Sequence, residues 1–278
     1  MQNLLRLVEQ WRRQHPPPTP QLLVNLIREY LQVRVLKAIY HSKYAGALSF
    51  MGGTALRICH DLKRFSEDLD FAYDRPLRGY AFSRLLAAVR QVFDLDGYMI
   101  EVSASEDKTV QKAFLKLSHI LHPLGLSHRE TQKVHIKLEV DMRPVPVENA
   151  QLESFFVTKF GELFPILKHR TETAFAGKIL AILGRTYTKG RDYYDLIWYL
   201  QHKTSLDMAY LNADIGRLGL PPFSSAQALF EHLGHTVERV RPELILKDIG
   251  RFLEDPSEEQ WLAQYQAVFR QLVRQYPW

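Results

Sequence analysis

Hydrophobic and polar positions along this 278-residue chain change period several times. Residues 1–14 place Leu4, Leu7, Val8 and Trp11 on one side of a short amphipathic helix. Pro16, Pro17, Pro18 and Pro20 break that pattern, and the stretch reads as a linker. Helical spacing resumes over residues 21–41, through Leu22, Leu23, Leu26, Ile27, Tyr30, Leu31 and Tyr40. A short strand is expected over residues 48–51, running into Gly52-Gly53, with a turn or two of helix over residues 54–60. A second strand over residues 69–73 stops at Arg75-Pro76. Phe82, Leu85, Leu86, Val89 and Phe93 share one face of a helix over residues 80–94. Strand-like runs follow over residues 98–103, 113–120 and 134–142, the first and last alternating with period two. The pattern then turns helical, over residues 173–185, 193–201, 225–238 and 258–275. The expected organisation is an N-terminal helix and linker (residues 1–20), an α/β domain (residues 21–148) and a helical C-terminal domain (residues 149–278).

Composition narrows the class. The chain is 46% hydrophobic and 24% charged, enough to bury a sizeable core and unlike a disordered chain. No apolar run approaches the roughly 20 residues that span a bilayer. The N-terminal residues carry charges throughout, so no secretory signal is expected and the expected location is the cytoplasm. The lone cysteine, Cys59, excludes an internal disulfide and a Cys-based zinc site, and it reads as a core residue. Net charge is 36 − 31 = +5, and from Lys108 to Arg191 fourteen Lys/Arg oppose seven Asp/Glu, giving +7 there. A basic middle fits a polyanionic partner such as a nucleotide or RNA, and equally a solvated basic surface.

Candidate chemistry gathers in three places. On a strand, Asp68 and Asp70 point the same way while Leu69 and Phe71 face the core. Two such carboxylates repel each other unless a cation joins them, and magnesium bound to nucleotide phosphates is the usual solution. A surface Asp-x-Asp without a role is the alternative. Gly52-Gly53 ends a short strand and opens a helical segment, where backbone N–H groups can approach a phosphate. Alone it reads as a turn; with Asp68 following 15 residues after Gly53 it favours phosphate binding. Glu139 and Asp141 share a face of a later strand, and if the strands neighbour, one of them can complete a three-carboxylate metal site for in-line nucleotidyl transfer. The other reading is a solvent-facing edge.

In the helical half, Lys178 and Arg185 are seven residues apart and flank Phe175, Ile179, Ile182 and Leu183. Two cations on one line suit a triphosphate. Gly190 is expected to end that helix and Asp192 to cap the next, with Asp195 in reach of Arg191 or Lys178. A buried Arg–Asp clasp between helices is an equally natural use of these residues. Tyr193, Tyr194, Trp198 and Tyr199 read as helix packing ahead of base stacking.

Together these residues resemble the AbiEii/AbiGii-type nucleotidyltransferase toxins of abortive infection systems. The resemblance rests on GGTALR at 52–57, RFSEDLDF at 64–71, KLEVDMR at 137–143 and the run from Lys178 through Arg185 to RDYYDL ending at Leu196. It implies an α+β, polymerase β-like nucleotidyltransferase fold with a mainly helical C-terminal part. It implies a nucleoside triphosphate substrate and Mg²⁺ (or Mn²⁺). It implies an acceptor such as the 3′ end of tRNA, and a cognate antitoxin. Carried over residue by residue, Asp68, Asp70 and Glu139 are metal ligands, and these three with Lys178 and Asp192 are catalytic. Gly52, Gly53, Thr54, Arg57, Ser66, Lys178, Arg185 and Arg191 are the implied nucleotide-binding set. One position departs from the pattern: many relatives carry Lys before the glycine pair, where this chain has Met51. A non-catalytic nucleotide- or RNA-binding module of the same fold, or a protein-interaction module docking through residues 1–14, are the competing readings.

Overall fold

The period-two runs become the spine of a seven-stranded mixed sheet, in a computed structural model that describes residues 1–277. The strands are β1 (Ser49–Met51), β2 (Asp68–Ala72), β3 (Met99–Glu106), β4 (Val110–Ser118), β5 (Val134–Asp141), β6 (Leu152–Val157) and β7 (Phe164–His169). Their order is β3-β4-β5-β2-β1-β7-β6. β2 runs parallel to β5, β1 parallel to β7, and β1/β2, β3/β4 and β4/β5 are antiparallel. Alternation decides the faces: Leu69, Phe71, Ala113, Leu115, Ile136, Leu138 and Val140 are all buried in one core. The intervening Asp68, Asp70, Lys112, Phe114, Lys137 and Glu139 stay on the opposite face, partly or fully exposed.

Helices α1 (Gln2–Arg12), α2 (Pro20–Tyr40) and α4 (Phe82–Leu95) contribute to that core, as do Ala55 and Ile58 of α3 (Gly52–His60), which follows β1 directly. Leu4 and Val8 of α1 are fully buried. Pro20 belongs to a helix start, not to a linker. Thr19 accepts a hydrogen bond from the Leu22 N–H at 3.2 Å, and Pro20 occupies the first turn, where its missing N–H costs nothing.

β6 and β7 lie in a stretch expected to be helical. Pro165 inside β7 and the Phe155-Phe156 pair in β6 blur the alternation that reveals a strand.

The chain forms two compact units. The first comprises Met1–Asp61, Phe65–Pro144 and Glu153–Lys168; the second comprises Leu62–Arg64, Val145–Leu152 and His169–Trp278. In the second unit lie α5 (Thr171–Gly184), α6 (Gly190–Gln201), α7 (Met208–Asp214), α8 (Ala226–Glu238), α9 (Pro242–Ile249), α10 (Glu259–Leu262) and α11 (Tyr265–Arg274). α5 stops at Gly184, and Gly190 starts α6 instead of ending α5. A Cβ on Gly190 would lie 2.5 Å from the Ile245 carbonyl oxygen, so this glycine lets α6 and α9 approach. The aromatic run packs helices: Phe175 stacks on Tyr199 at 4.5 Å, and Tyr193 meets Tyr265 edge-on at 5.7 Å. The helix expected over 258–275 is broken into α10 and α11 near Ala263-Gln264. Among the described residues no helix is long and apolar enough to cross a membrane.

Candidate active site

In the first unit the site begins at the junction of β1 and α3. Gly52 has φ +80°, a conformation L side chains rarely adopt. A Cβ there would run into the Asp70 carboxylate, with Asp70 Cβ and Cγ each 3.2 Å away. The register explains the closeness: Met51 on β1 pairs with Asp70 on β2. Met51 also precedes α3 as its N-cap and makes no side-chain cap to the first turn formed by Gly52, Gly53 and Thr54. Thr54 itself is buried, and its hydroxyl donates to the Asp68 carbonyl oxygen, tying α3 to β2.

The carboxylates come together through parallel pairing. Asp68 lies opposite Lys137 on β5, and Asp70 lies opposite Glu139. Asp141 lies opposite Ala72, one step beyond the pair, and accepts the Arg143 N–H at 2.9 Å. β4 adds Lys112 opposite Glu139. The Lys137 ammonium is 2.8 Å from Glu139 Oε2, and Lys112 is 3.4 Å from Glu139 Oε1. Burial alone would lower the Lys137 pKa; the bond to Glu139 and the charges of Glu139, Asp68 and Asp70 outweigh it and hold the group above its ordinary value. Burial would likewise raise Glu139, and the two lysines hold it below the usual carboxylate range. Lys137 and Lys112 are members of this site that the motif reading passed over. Their signal was available, since both sit in phase with the carboxylates on period-two strands.

The residues suit a hard divalent ion. Asp68, Asp70 and Glu139 offer oxygen donors from one sheet face, and a cation, the Lys137 ammonium, already balances them. Among the described residues no three His, Cys, Asp or Glu side chains converge closely enough to hold an ion by themselves. Magnesium ordinarily takes only one or two carboxylates, completing its shell with phosphates and water, and this donor set matches that habit.

Arg57 and Ser66 have other surroundings. Arg57 is buried, its Nε and Nη2 donating to Glu29 Oε2 at 3.1 and 3.0 Å, with its guanidinium 4.3 Å over the Phe65 ring. Ser66 is buried, and its carbonyl accepts from Gln32 Nε2 at 3.0 Å. Both positions brace the segment that leads into β2. Burial pushes the Cys59 thiol up to about 12, which suits a core residue and not a nucleophile.

In the second unit Lys178 and Arg185 form an ion-pair network with the buried carboxylates of Asp192 and Asp195. Lys178 Nζ is 2.7 Å from Asp192 Oδ1 and 2.9 Å from Asp195 Oδ2. Arg185 Nε is 2.8 Å from Asp192 Oδ2. Arg64, itself buried, grips Asp195 with two bonds of 2.7 and 2.6 Å. Asp192 does not cap α6 as expected; Lys189 takes the cap position and the Asp192 carboxylate turns to Lys178 and Arg185. Burial would raise the Asp192 pKa, but Lys178, Lys189 and Arg185 hold it at about 2. Arg191 donates its backbone N–H to Asp248 Oδ2 at 3.1 Å, and its guanidinium sits 5.1 Å over Phe252.

Comparison with known proteins gives a family and a fold. Residues 34–277 match the family described as nucleotidyl transferase AbiEii toxin, type IV TA system. The fold is similar to that of JHP933 from Helicobacter pylori, with TM-score 0.54 and 18% identity over 90% of this chain and 94% of that one. A second Helicobacter pylori structure, whose description proposes a nucleotidyltransferase, gives TM-score 0.54 and 18% identity over 91% of this chain and 98% of that one. No curated protein matches the sequence. Because the family match spans residues 34–277, most of the chain, the chain belongs to the AbiEii nucleotidyl transferase toxins of type IV toxin–antitoxin systems.

Proposed function

We propose that this chain is a Mg²⁺-dependent nucleotidyltransferase toxin that moves a nucleoside monophosphate from a nucleoside triphosphate to an RNA hydroxyl, the 3′ end of tRNA, in the cytoplasm, under control of a cognate antitoxin. The observation that carries it is the placement of Asp70 against Gly52, with Asp68 two residues earlier on the same strand and Glu139 in register with Asp70 on the neighbouring strand.

Asp68, Asp70 and Glu139 would hold the ion, which would supply Lewis-acid activation of the α-phosphorus. The N–H groups at the start of α3 receive phosphate oxygens. Lys137 and Lys112 are close enough to Glu139 to exchange that partner for the anionic nucleotide. An acceptor oxygen forms the new bond to the α-phosphorus, the bond to the β-phosphate oxygen breaks, and pyrophosphate leaves. The acceptor proton passes to a carboxylate oxygen of Asp70 and then to water. The family resemblance assigns Lys178, Arg185, Arg191 and Asp192 to the same reaction.

The test is transfer of label from each of four α-labelled nucleoside triphosphates to total RNA with Mg²⁺, alongside Asp68→Ala and Lys178→Ala. Label in tRNA-sized RNA, lost in both variants, is the expected result. Absence of label from RNA, from the protein itself and from added lysate proteins would overturn the enzymatic reading in favour of a binding module. Co-purification with the product of a neighbouring gene that suppresses toxicity tests the antitoxin.

A further inference from the structure

Phe114 is out of place on the sheet. Its neighbours Ala113 and Leu115 are fully buried in the core, whereas Phe114 is 42% exposed on the face that carries the carboxylates. An isolated exposed apolar residue is unremarkable on a protein surface. What surrounds this ring is the informative part. Lys112 and Lys116 lie two residues to either side on β4, on the same face. Across the sheet, Phe114 pairs with Lys137 on β5 and with Ser103 on β3. A single row therefore runs Asp68, Lys137, Phe114, Ser103 over four strands. Strands are spaced about 4.8 Å apart, so the ring stands roughly 10 Å from the carboxylate strand. The next row contains His135, opposite Lys116. Burial first, and then Lys116, Arg28 and Lys133, depress the His135 pKa; the carboxylate of this row is Glu101 on β3, opposite Lys116 and 2.6 Å from the Lys133 ammonium.

An aromatic face beside lysines is the combination that receives single-stranded nucleic acid: the ring takes a base by stacking and the ammoniums take phosphates. We infer that Phe114 is the stacking platform for a nucleobase near the reacting end of a single-stranded RNA acceptor, with Lys116 contacting an adjacent phosphate. The inference rests on the reading of the chain as a nucleotidyltransferase with an RNA acceptor. It assigns that acceptor a path over β4, from the platform towards Asp68 and Asp70.

The test is equilibrium binding of a fluorescent eight-nucleotide oligouridylate, and of the same strand with an abasic site at each position in turn. Wild type, Phe114→Ala, Phe114→Tyr and Lys116→Gln are compared, with Asp70→Asn as a variant that cannot transfer. Phe114→Ala is expected to weaken binding about tenfold, the loss of one stacked base, and Phe114→Tyr to retain it. Lys116→Gln is expected to reduce the salt slope by about 0.7, as for one lost phosphate contact on a single strand. The fluorescence of the indole introduced by Phe114→Trp is expected to be quenched by the intact strand and not by the strand abasic at the stacked position. Equal affinity of wild type and Phe114→Ala, or equal affinity for every abasic strand, overturns the platform. So does a wild-type dimer in sedimentation that Phe114→Ala abolishes, because the face would then belong to a second copy of the chain. Binding that depends on Phe114 without any transfer of label keeps the platform and removes the enzymatic reading. Transfer whose RNA KM ignores Phe114→Ala removes the platform alone.

Discussion

The Asp70 carboxylate occupies the space that a side chain on Gly52 would need, so the residue opening α3 and the residue at the centre of β2 constrain each other. Gly52→Ala therefore carries two costs: a positive φ of +80°, worth about 1–2 kcal/mol for a residue with a Cβ, and displacement of the carboxylate. The carboxylate oxygen is the far end of a side chain and can rotate away, so the fold is expected to survive with a modest drop in urea midpoint. Nucleotidyl transfer is expected to fall far more, by about a hundredfold or greater, as for loss of a preorganised electrostatic group. A variant with wild-type transfer would show that the position of Asp70 is immaterial.

Lys137 sets the second prediction. Its ammonium neutralises Glu139 directly and faces the charges of Asp68 and Asp70, so the proposed divalent ion would have to compete with it. Lys137→Met is expected to tighten Mn²⁺ binding about tenfold, read from the free-ion EPR signal in the absence of nucleotide. Lys137→Arg keeps the charge and should bind Mn²⁺ like wild type. If the two variants match each other, the lysine is not a counter-ion to this site.

In the second unit, Asp195 is shared by two buried cations, Arg64 and Lys178. Removing it with Asp195→Ala strands both charges and is expected to cost about 3–5 kcal/mol in chemical denaturation. Lys178→Ala leaves two buried carboxylates with fewer partners and belongs in the same range, so its loss of transfer alone does not assign a role. Lys178→Arg retains the charge. Transfer lost in Lys178→Arg at wild-type stability places Lys178 in the reaction; transfer that tracks stability across both variants makes it a brace.

The first unit was legible where period and chemistry coincide. The alternation over residues 134–142 predicted β5, and it placed Glu139 in phase with Asp141 before any pairing was known. Gly52-Gly53 announced the turn into α3 because few other residues tolerate a positive φ. Partnerships set by packing were not legible. Arg57 finds Glu29 from 28 residues away, and Arg64 finds Asp195 from 131 residues away, and nothing in local spacing chooses between these carboxylates and others. Asp192 shows the same limit. Its position in the first turn of α6 fits a cap, but two cations brought in by tertiary structure outcompete the helix N–H groups. β7 was hidden by Pro165, which in a lone sequence argues against a strand.

Asp192 makes that competition measurable by pH. Its pKa in the folded chain is about 2, below the unfolded value of 3.8, because Lys178, Lys189 and Arg185 favour the ionised form despite burial. A depressed carboxylate contributes stability that is fully present above pH 3.8 and is lost as pH falls towards 2. At 1.36 kcal/mol for each pKa unit, the contribution is about 2 kcal/mol. Wild type and Asp192→Asn are therefore expected to differ by a constant amount in urea stability from pH 7 down to about 5, and the gap should close by about 2 kcal/mol between about pH 4 and pH 2. Glu139 and the other depressed carboxylates act equally on both proteins, so the difference isolates Asp192. A gap that stays constant through acid would mean that the carboxylate is not held ionised by its cations. A gap that widens as pH falls would mean that its pKa is raised, with burial dominating over Lys178.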